Sequence, residues 1–387
     1  MFLSMALGLY ALCSVRLRGR GLRCQEQQRR VRHHSRRLIR SINYPWQRVY
    51  QQRMSFEMMS EELCVRQLRF NKEAIGRLCD ILQGDLRPSS KCRTALSVAM
   101  KVTTALNFYA CGSYQASVGH MCKITQSAAR ACIHQVTDAI FRKASNFIRF
   151  DMSPVELRGR AVRFHRIAGF PKVLGVIAGS HIQLKAPNDQ PISYMNSRGF
   201  HSLNVMIVCD AQMRILAVNA DHKGSADDAF VLENSSLAQF MNKCPQRSGW
   251  LLGSSSYPLK TWLMVPYSKT QSKAQQRYNC AHVCTWQRGQ DTVKLLKSRF
   301  QCLNRSKGIL QYSPVKVSKI VVVCCALHNF ALDQGQTLQP MEDTVSETDQ
   351  LDTPDLDTVD TQESLKKTPT AAARAIREQL VDDRFGL

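Results

Sequence analysis

Between Lys172 and Ala220 the chain holds three β-rich runs in quick succession, and they limit its fold more than any other feature. The first, Lys172 followed by VLGVI and Ala178, is apolar without interruption, as a strand buried on both faces must be. HIQLK then alternates. HSLNVMIVCD and RILAVNA follow, joined by turn residues around Asp210 and Ala211. Downstream, ADHKGSADDAFVLENSSLAQF passes from loop to helix, and GWLLGSSSYPL reads as a short strand entering a tight turn at Tyr257 and Pro258. DTVKLLKSRFQCL reads as a helix with Val293, Leu296 and Phe300 on one side. Strands, then helix, strand and helix again, predict an α/β (α+β) core around a mixed sheet.

The preceding segment is helical throughout. In KITQSAARACIHQVTDAIFRKAS, Ala129, Ile133, Val136 and Ile140 make one apolar stripe, with Gln126, Arg130, His134 and Arg142 outside it. Two short helices separated by KIT resemble a helix-turn-helix, with Thr125 or Ser127 as the cap of the second. On that reading Gln126 and Arg130 face nucleic acid; packing in a plain helical bundle is the alternative.

Domain boundaries follow composition. Residues 1–50 hold eleven Arg and one Glu, a basic arm. It opens on an apolar stretch of about fifteen residues, short for a spanning helix and with no basic residue before it, so no membrane association is expected, a signal anchor being the alternative. Residues 51–150 form the helical domain and 155–332 the α/β domain. Residues 333–368 form an acidic linker, with nine Asp and Glu and no Lys or Arg between 341 and 364. Residues 369–387 form a terminal helix that begins at Pro369. The formal net charge of +23 favours a polyanionic partner, nucleic acid foremost. The run RRVRHHSRRLIR suits nuclear import, giving an expected location in the nucleus, also the cytoplasm. The 15 Cys show no paired CxxC spacing, and several sit in apolar runs, as buried free thiols do.

The blocks GVIAGSHIQLKAP, SYMNSRGFHSLNVMIVCDAQ, GSADDAFVL, WLLGSSSYPLKTWLMVPY, RYNCAH, LLKSRFQCL and LQYSPVKVSKIVVVCCALHN occur in that order. Over about residues 90–332 the chain resembles the PIF/Harbinger transposases and the nucleases derived from them. The resemblance implies an RNase H-like fold and DNA cleavage assisted by two divalent ions, Mg or Mn, held by two Asp and one Glu. The chemistry demands those residues: hard cations take oxygen ligands, and paired ions clamp the attacking and leaving oxygens of a phosphodiester. In this chain the first acidic position, in a GVIDGTH-like motif, falls on Ala178. The second, in an LLGDSGYPL-like motif, falls on Ser254, and the third, in a VERTFGLLKSRF-like motif, on Gln290. The family triad is replaced at all three positions.

Ala178 has no ligand atom, and Ser254 and Gln290 offer neutral oxygens, so metal-assisted hydrolysis is expected to be lost or nearly so. Asp228, Asp210, His181 and His222 are the residues from which a substitute metal site would have to be built. Otherwise Asp228 caps a helix and His181 is a satisfied strand residue. Lys294 and Lys297 share a helix face with Gln290, and Arg299, Lys307 and Arg277 add charge nearby, which makes them candidate DNA contacts or ordinary solvated surface. Three functions stay open: a silent DNA-binding protein, an active metal-dependent nuclease, and a nuclear interaction module for the Myb/SANT-like partner that the resemblance implies.

Overall fold

The computed structural model describes residues 52–88, 95–112, 114–243, 249–336 and 370–386. The basic arm and most of the acidic linker lie outside the described residues. Helices come first: α1 (Glu61–Leu68), α2 (Lys72–Leu86), α3 (Val98–Cys111), α4 (Gln115–Met121), α5 (Gln126–Arg142), α6 (Ala144–Phe147) and α7 (Pro154–Ala168). Five of these start on a side-chain cap. Ser60, Asn71, Ser97, Thr125 and Ser153 each accept a hydrogen bond from the first-turn backbone of α1, α2, α3, α5 and α7, which offsets donors that a helix start leaves unpaired.

Next come β1 (Val173–Gln183), β2 (Ser202–Cys209) and β3 (Ile215–Lys223), then α8 (Asp228–Glu233), α9 (Ser236–Lys243), β4 (Trp250–Leu252) and β5 (Leu263–Met264). The helices α10 (Lys273–Arg299), α11 (Pro314–Asp333) and α12 (Ala371–Phe385) complete the chain. The sheet order is β3-β2-β1-β4-β5. β2 and β3 run antiparallel as a meander from β1, and β4 is parallel to β1. The apolar run read as a central strand is the central strand, flanked by β2 and β4 and buried along most of its length.

Two clusters of buried side chains flank this sheet. One joins α1, α2, α3 and α5 to Ala178, Ile182, Val205 and Ile207 of the sheet and to α11, so the residues of the expected helical domain share a core with the α/β domain. The other gathers Ile177, Met206, Val208 and Leu251 with Phe164, Tyr278 and the terminal helix. The stripe Ala129, Ile133, Val136 and Ile140 is fully buried, as its spacing requires. Helix α11 is apolar and long enough to cross a membrane, but it is mostly buried in this core. Its Cys324 and Cys325 are buried thiols, and all cysteines among the described residues are free.

Two elements differ from expectation. The helix read from Asp291 begins at Lys273, because its first half carries Gln, Arg and Asn on the exposed side and gives only a weak apolar period. β5 is two residues long, too short to show a period, and exists through pairing with β4.

Candidate functional site

The sheet sets two of the motif-matched positions, Ala178 and Ser254, at neighbouring strands, and α10, which carries the third, crosses β1. Ala178 lies in the middle of β1, opposite Ile207 of β2. Val176 pairs with Leu252, so the chain leaving β4 carries Ser254 to the level of Ala178. Helix α10, which carries Gln290, crosses the same strand at the neighbouring Gly289. A Cβ placed on Gly289 would lie 3.2 Å from the Ala178 Cβ and 3.3 Å from Val176 Cγ2. The helix backbone therefore rests directly on the small side chain, and the Trp286 indole N–H donates to the Ile177 carbonyl at 2.7 Å to fix the crossing. Ala178 is 1% exposed and Gln290 is 6% exposed. Ala178 is thus buried against the backbone of α10.

Polar groups here are committed to one another. Ser254 Oγ and Ser256 Oγ share a hydrogen bond of 2.6 Å. Ser256 Oγ donates at 2.9 Å to one oxygen of Asp228, and Asn204 Nδ2 donates at 3.0 Å to the other. Asp228 abuts β1 at Gly179, where a Cβ would stand 3.3 Å from its Oδ1. Successive strand residues point to opposite faces, so Asp228 lies across the sheet from the Ala178 side chain. Tyr257 is buried beside it, and burial, with the Asp228 charge adding to it, pushes the phenol well above its ordinary pKa.

The substitute metal site does not assemble. Asp210 closes the β2–β3 turn, its Oδ1 accepting from the Gln212 and Arg214 backbone N–H at 2.9 Å each, at the far end of β2 from Asn204. His181, Asn204 and His222 stand in register across three strands. However, His181 Nδ1 meets Ser202 Oγ at 3.0 Å, and the His222 ring packs edge-on against Phe230. No three His, Cys, Asp or Glu side chains converge among the described residues. Asp227, not Asp228, caps α8 by accepting from Phe230 N–H at 2.6 Å. One engaged carboxylate, two linked hydroxyls and a helix against Ala178 do not fit a pair of divalent cations, which require several free anionic oxygens.

The basic candidates separate by burial. Lys294 is exposed, but Lys297 is 9% exposed, and Arg299 is fully buried, with Nη2 donating to the Gln336 carbonyl at 3.0 Å. Desolvation lowers the Arg299 pKa to about 10. Arg299 is thus a core cation rather than a phosphate contact, and Lys297 is largely covered, because the α10 stripe through Gln290, Lys294 and Lys297 straddles the edge of the core. Arg277 holds the terminal helix, its Nε donating to the Phe385 carbonyl at 2.9 Å. Gln126 and Arg130 are exposed on the first turns of α5.

Helices α4 and α5 are joined by a tight turn. Lys123 adopts a left-handed conformation in the turn, and Ile124 N–H returns to the Gly119 carbonyl at 2.8 Å. The cap is Thr125, whose Oγ1 accepts from Ala128 N–H at 3.2 Å. Beside α5 lies a cavity of about 560 Å³ lined by Gln126, Arg130, Lys307 and the rings of Phe108, Tyr114 and Tyr312. No sequence period marks it, because its walls come from three separate parts of the chain.

A five-stranded sheet in this order, flanked by helices with a long late helix across β1, defines an RNase H-like core of the DDE nuclease class. Residues 177–329 match the DDE superfamily endonuclease family. The chain is 38% identical over 284 residues to human "Putative nuclease HARBI1", spanning 73% of this chain and 81% of that protein. It is 37% identical over 303 residues to the Xenopus laevis protein of the same name, 76% of this chain and 87% of that one. It is 25% identical over 299 residues to "Protein ALP1-like" of Arabidopsis thaliana, 70% of this chain and 72% of that protein. No solved structure matches the chain. The chain belongs to the Harbinger transposase-derived nuclease family of the DDE superfamily.

Proposed function

We propose that this chain binds duplex DNA and no longer cleaves it. One observation carries the reading: at the three positions where the family's chemistry needs carboxylates stand Ala178, Ser254 and Gln290, with α10 packed onto the first through Gly289. Two metal ions would meet no carboxylate at any of them, and hydrolysis that depends on those ions loses its nucleophile and its leaving-group stabilisation together. Removal of three anions also removes their repulsion of phosphate, while the net charge of +23 favours it. The basic run between Arg29 and Arg40 supports delivery to the nucleus.

The test is a pair of assays on the purified full chain. Supercoiled plasmid with Mg²⁺ or Mn²⁺ is expected to stay closed, and the affinity for a duplex is expected to fall steeply as salt rises, with a log–log slope of about −0.9 per phosphate neutralised. Nicking that EDTA abolishes would end the first half of the proposal. An affinity indifferent to salt would end the second.

A further inference from the structure

We propose that the cavity beside α5 receives a single unstacked nucleotide of the bound DNA. This inference rests on the DNA-binding reading and adds how one base is held.

The cavity has a volume of about 560 Å³, within the usual range of about 300–1,000 Å³ for sites that enclose small ligands. Gly112 sets its floor. With φ at +67° it ends α3, and its hydrogen takes the place of a Cβ that would lie 2.9 Å from the Gln301 carbonyl oxygen. Only the glycine lets the 301–312 segment close against α3 and form the wall.

The lining chemistry is that of a nucleotide. Tyr114 stands at the rim with 69% of its surface exposed, so its ring is open to a flat partner. Phe108 and Tyr312 meet edge-to-face behind it, their centroids 5.7 Å apart. A base of any sequence can stack on an exposed ring such as Tyr114, since each base has a π face. Arg130 and Lys307 supply positive charge at the same opening. Both are exposed and neither makes an ion pair among the described residues; no Asp or Glu lines the cavity. Gln126 adds an amide that both donates to and accepts from base edges.

Placement completes the argument. Gln126 and Arg130 lie on the first turns of the second helix of a pair joined by a tight turn, the part that meets base edges when such a helix enters the major groove. The same two residues line the cavity. A duplex seated on α5 therefore has its bases at the cavity mouth, and a base released from the stack has an aromatic rim to rest on and cations to hold its phosphate. Unstacking costs least where a nucleotide is already unpaired, so the site favours DNA with an extrahelical base.

The experiment compares two fluorescent duplexes of one sequence, one fully paired and one with a single extrahelical adenosine, by anisotropy with the full-length chain. A preference of about tenfold for the bulged duplex is expected, on the scale of one base–aromatic stack. Tyr114→Ala removes the preference without unfolding the chain, because the ring is exposed, and Tyr114→Phe keeps it. Arg130→Ala weakens both duplexes. Equal affinity of the wild type for the two duplexes, or a preference that survives Tyr114→Ala, overturns the inference; the cavity would then suit a peptide partner better than a base. If the paired duplex binds with its salt dependence but no bulge preference emerges, this inference falls alone. If neither duplex binds, the DNA-binding reading falls with it.

Discussion

Replacing Ala178 by Asp, the residue the family motif calls for, is expected to destabilise this chain strongly even though it restores a catalytic group. Ala178 is 1% exposed, and helix α10 sits against its methyl group through Gly289. Two costs arise. Forcing three additional heavy atoms into a filled space costs about 1–3 kcal/mol. An ionised carboxyl buried without a partner costs several kcal/mol more, unless it takes up a proton. Together they give about 4 kcal/mol at neutral pH, on the order of 10 °C in melting temperature for a chain of this size. The two contributions separate by pH. Burial raises the new carboxyl above the usual aspartate value of about 3.9, so below that value both folded and unfolded forms carry the proton and only the packing cost remains. As pH rises, the unfolded chain releases its proton first, and the deficit grows until the folded form ionises. Urea midpoints of the variant and the parent, measured side by side from pH 4 to pH 8, should therefore diverge with pH. Ala178→Asn, with the same volume and no charge, should hold a constant deficit. A loss below about 1 kcal/mol for Ala178→Asp, or a deficit flat in pH, would refute a helix closed over this position.

The triple change Ala178→Asp, Ser254→Asp and Gln290→Glu is expected to gain about 2.7 kcal/mol of stability from Mn²⁺ at a hundredfold excess over the dissociation constant; a melting temperature indifferent to Mn²⁺ would mean that restoring charge does not overcome the packing of α10 on β1. Arg299→Met should lower stability by about 1–3 kcal/mol, through loss of the bond to Gln336, while leaving the salt slope of DNA binding unchanged; a shallower slope would place Arg299 at the phosphates. His282 and His328 are buried neutral, desolvation holding each near a pKa of about 4. Their lowered values make the unfolded chain the better proton binder between about pH 4 and 6.5, so stability is complete above that window and falls as pH drops through it, and His282→Gln should flatten the fall seen in urea midpoints. Removing residues 370–387 uncovers Phe170 and Tyr278, against which Phe385 packs at 5.7 Å from each, and should lower the melting temperature by several degrees in a thermal scan.

The sheet was legible in the sequence because its central strand is buried on both faces, and unbroken apolar runs have few other meanings. The start of α5 after its turn was legible through the α5 stripe and the Thr125 cap. The three carboxylate positions came from motif resemblance, and no periodicity would have found them. What the sequence withheld depends on tertiary neighbours. Arg299 and Lys294 are both basic residues of one helix, yet one lies in the core and the other in solvent, because the packed face of α10 turns between them. Asp210 and Asp228 each end or follow a strand, and only pairing register shows that one closes a turn while the other touches β1. The cavity beside α5 is assembled from Gly112, Arg130 and Tyr312, which no local pattern connects.

The surroundings of Ala178 are packed and not vacant. Losing a carboxylate at Ala178 alone would leave a hole beside the strand, and cavities of that size are costly. Here Gly289 lets α10 approach until backbone fills the space, and Ser254 is tied through Ser256 to Asp228, so the remaining polar atoms satisfy one another. Regaining metal binding would mean breaking that contact and that chain of hydrogen bonds as well as adding charge. The energetic barrier to reversal thus lies in the packing around Ala178 as much as in the missing charge, which is why a single restored Asp should cost stability without recovering any ion.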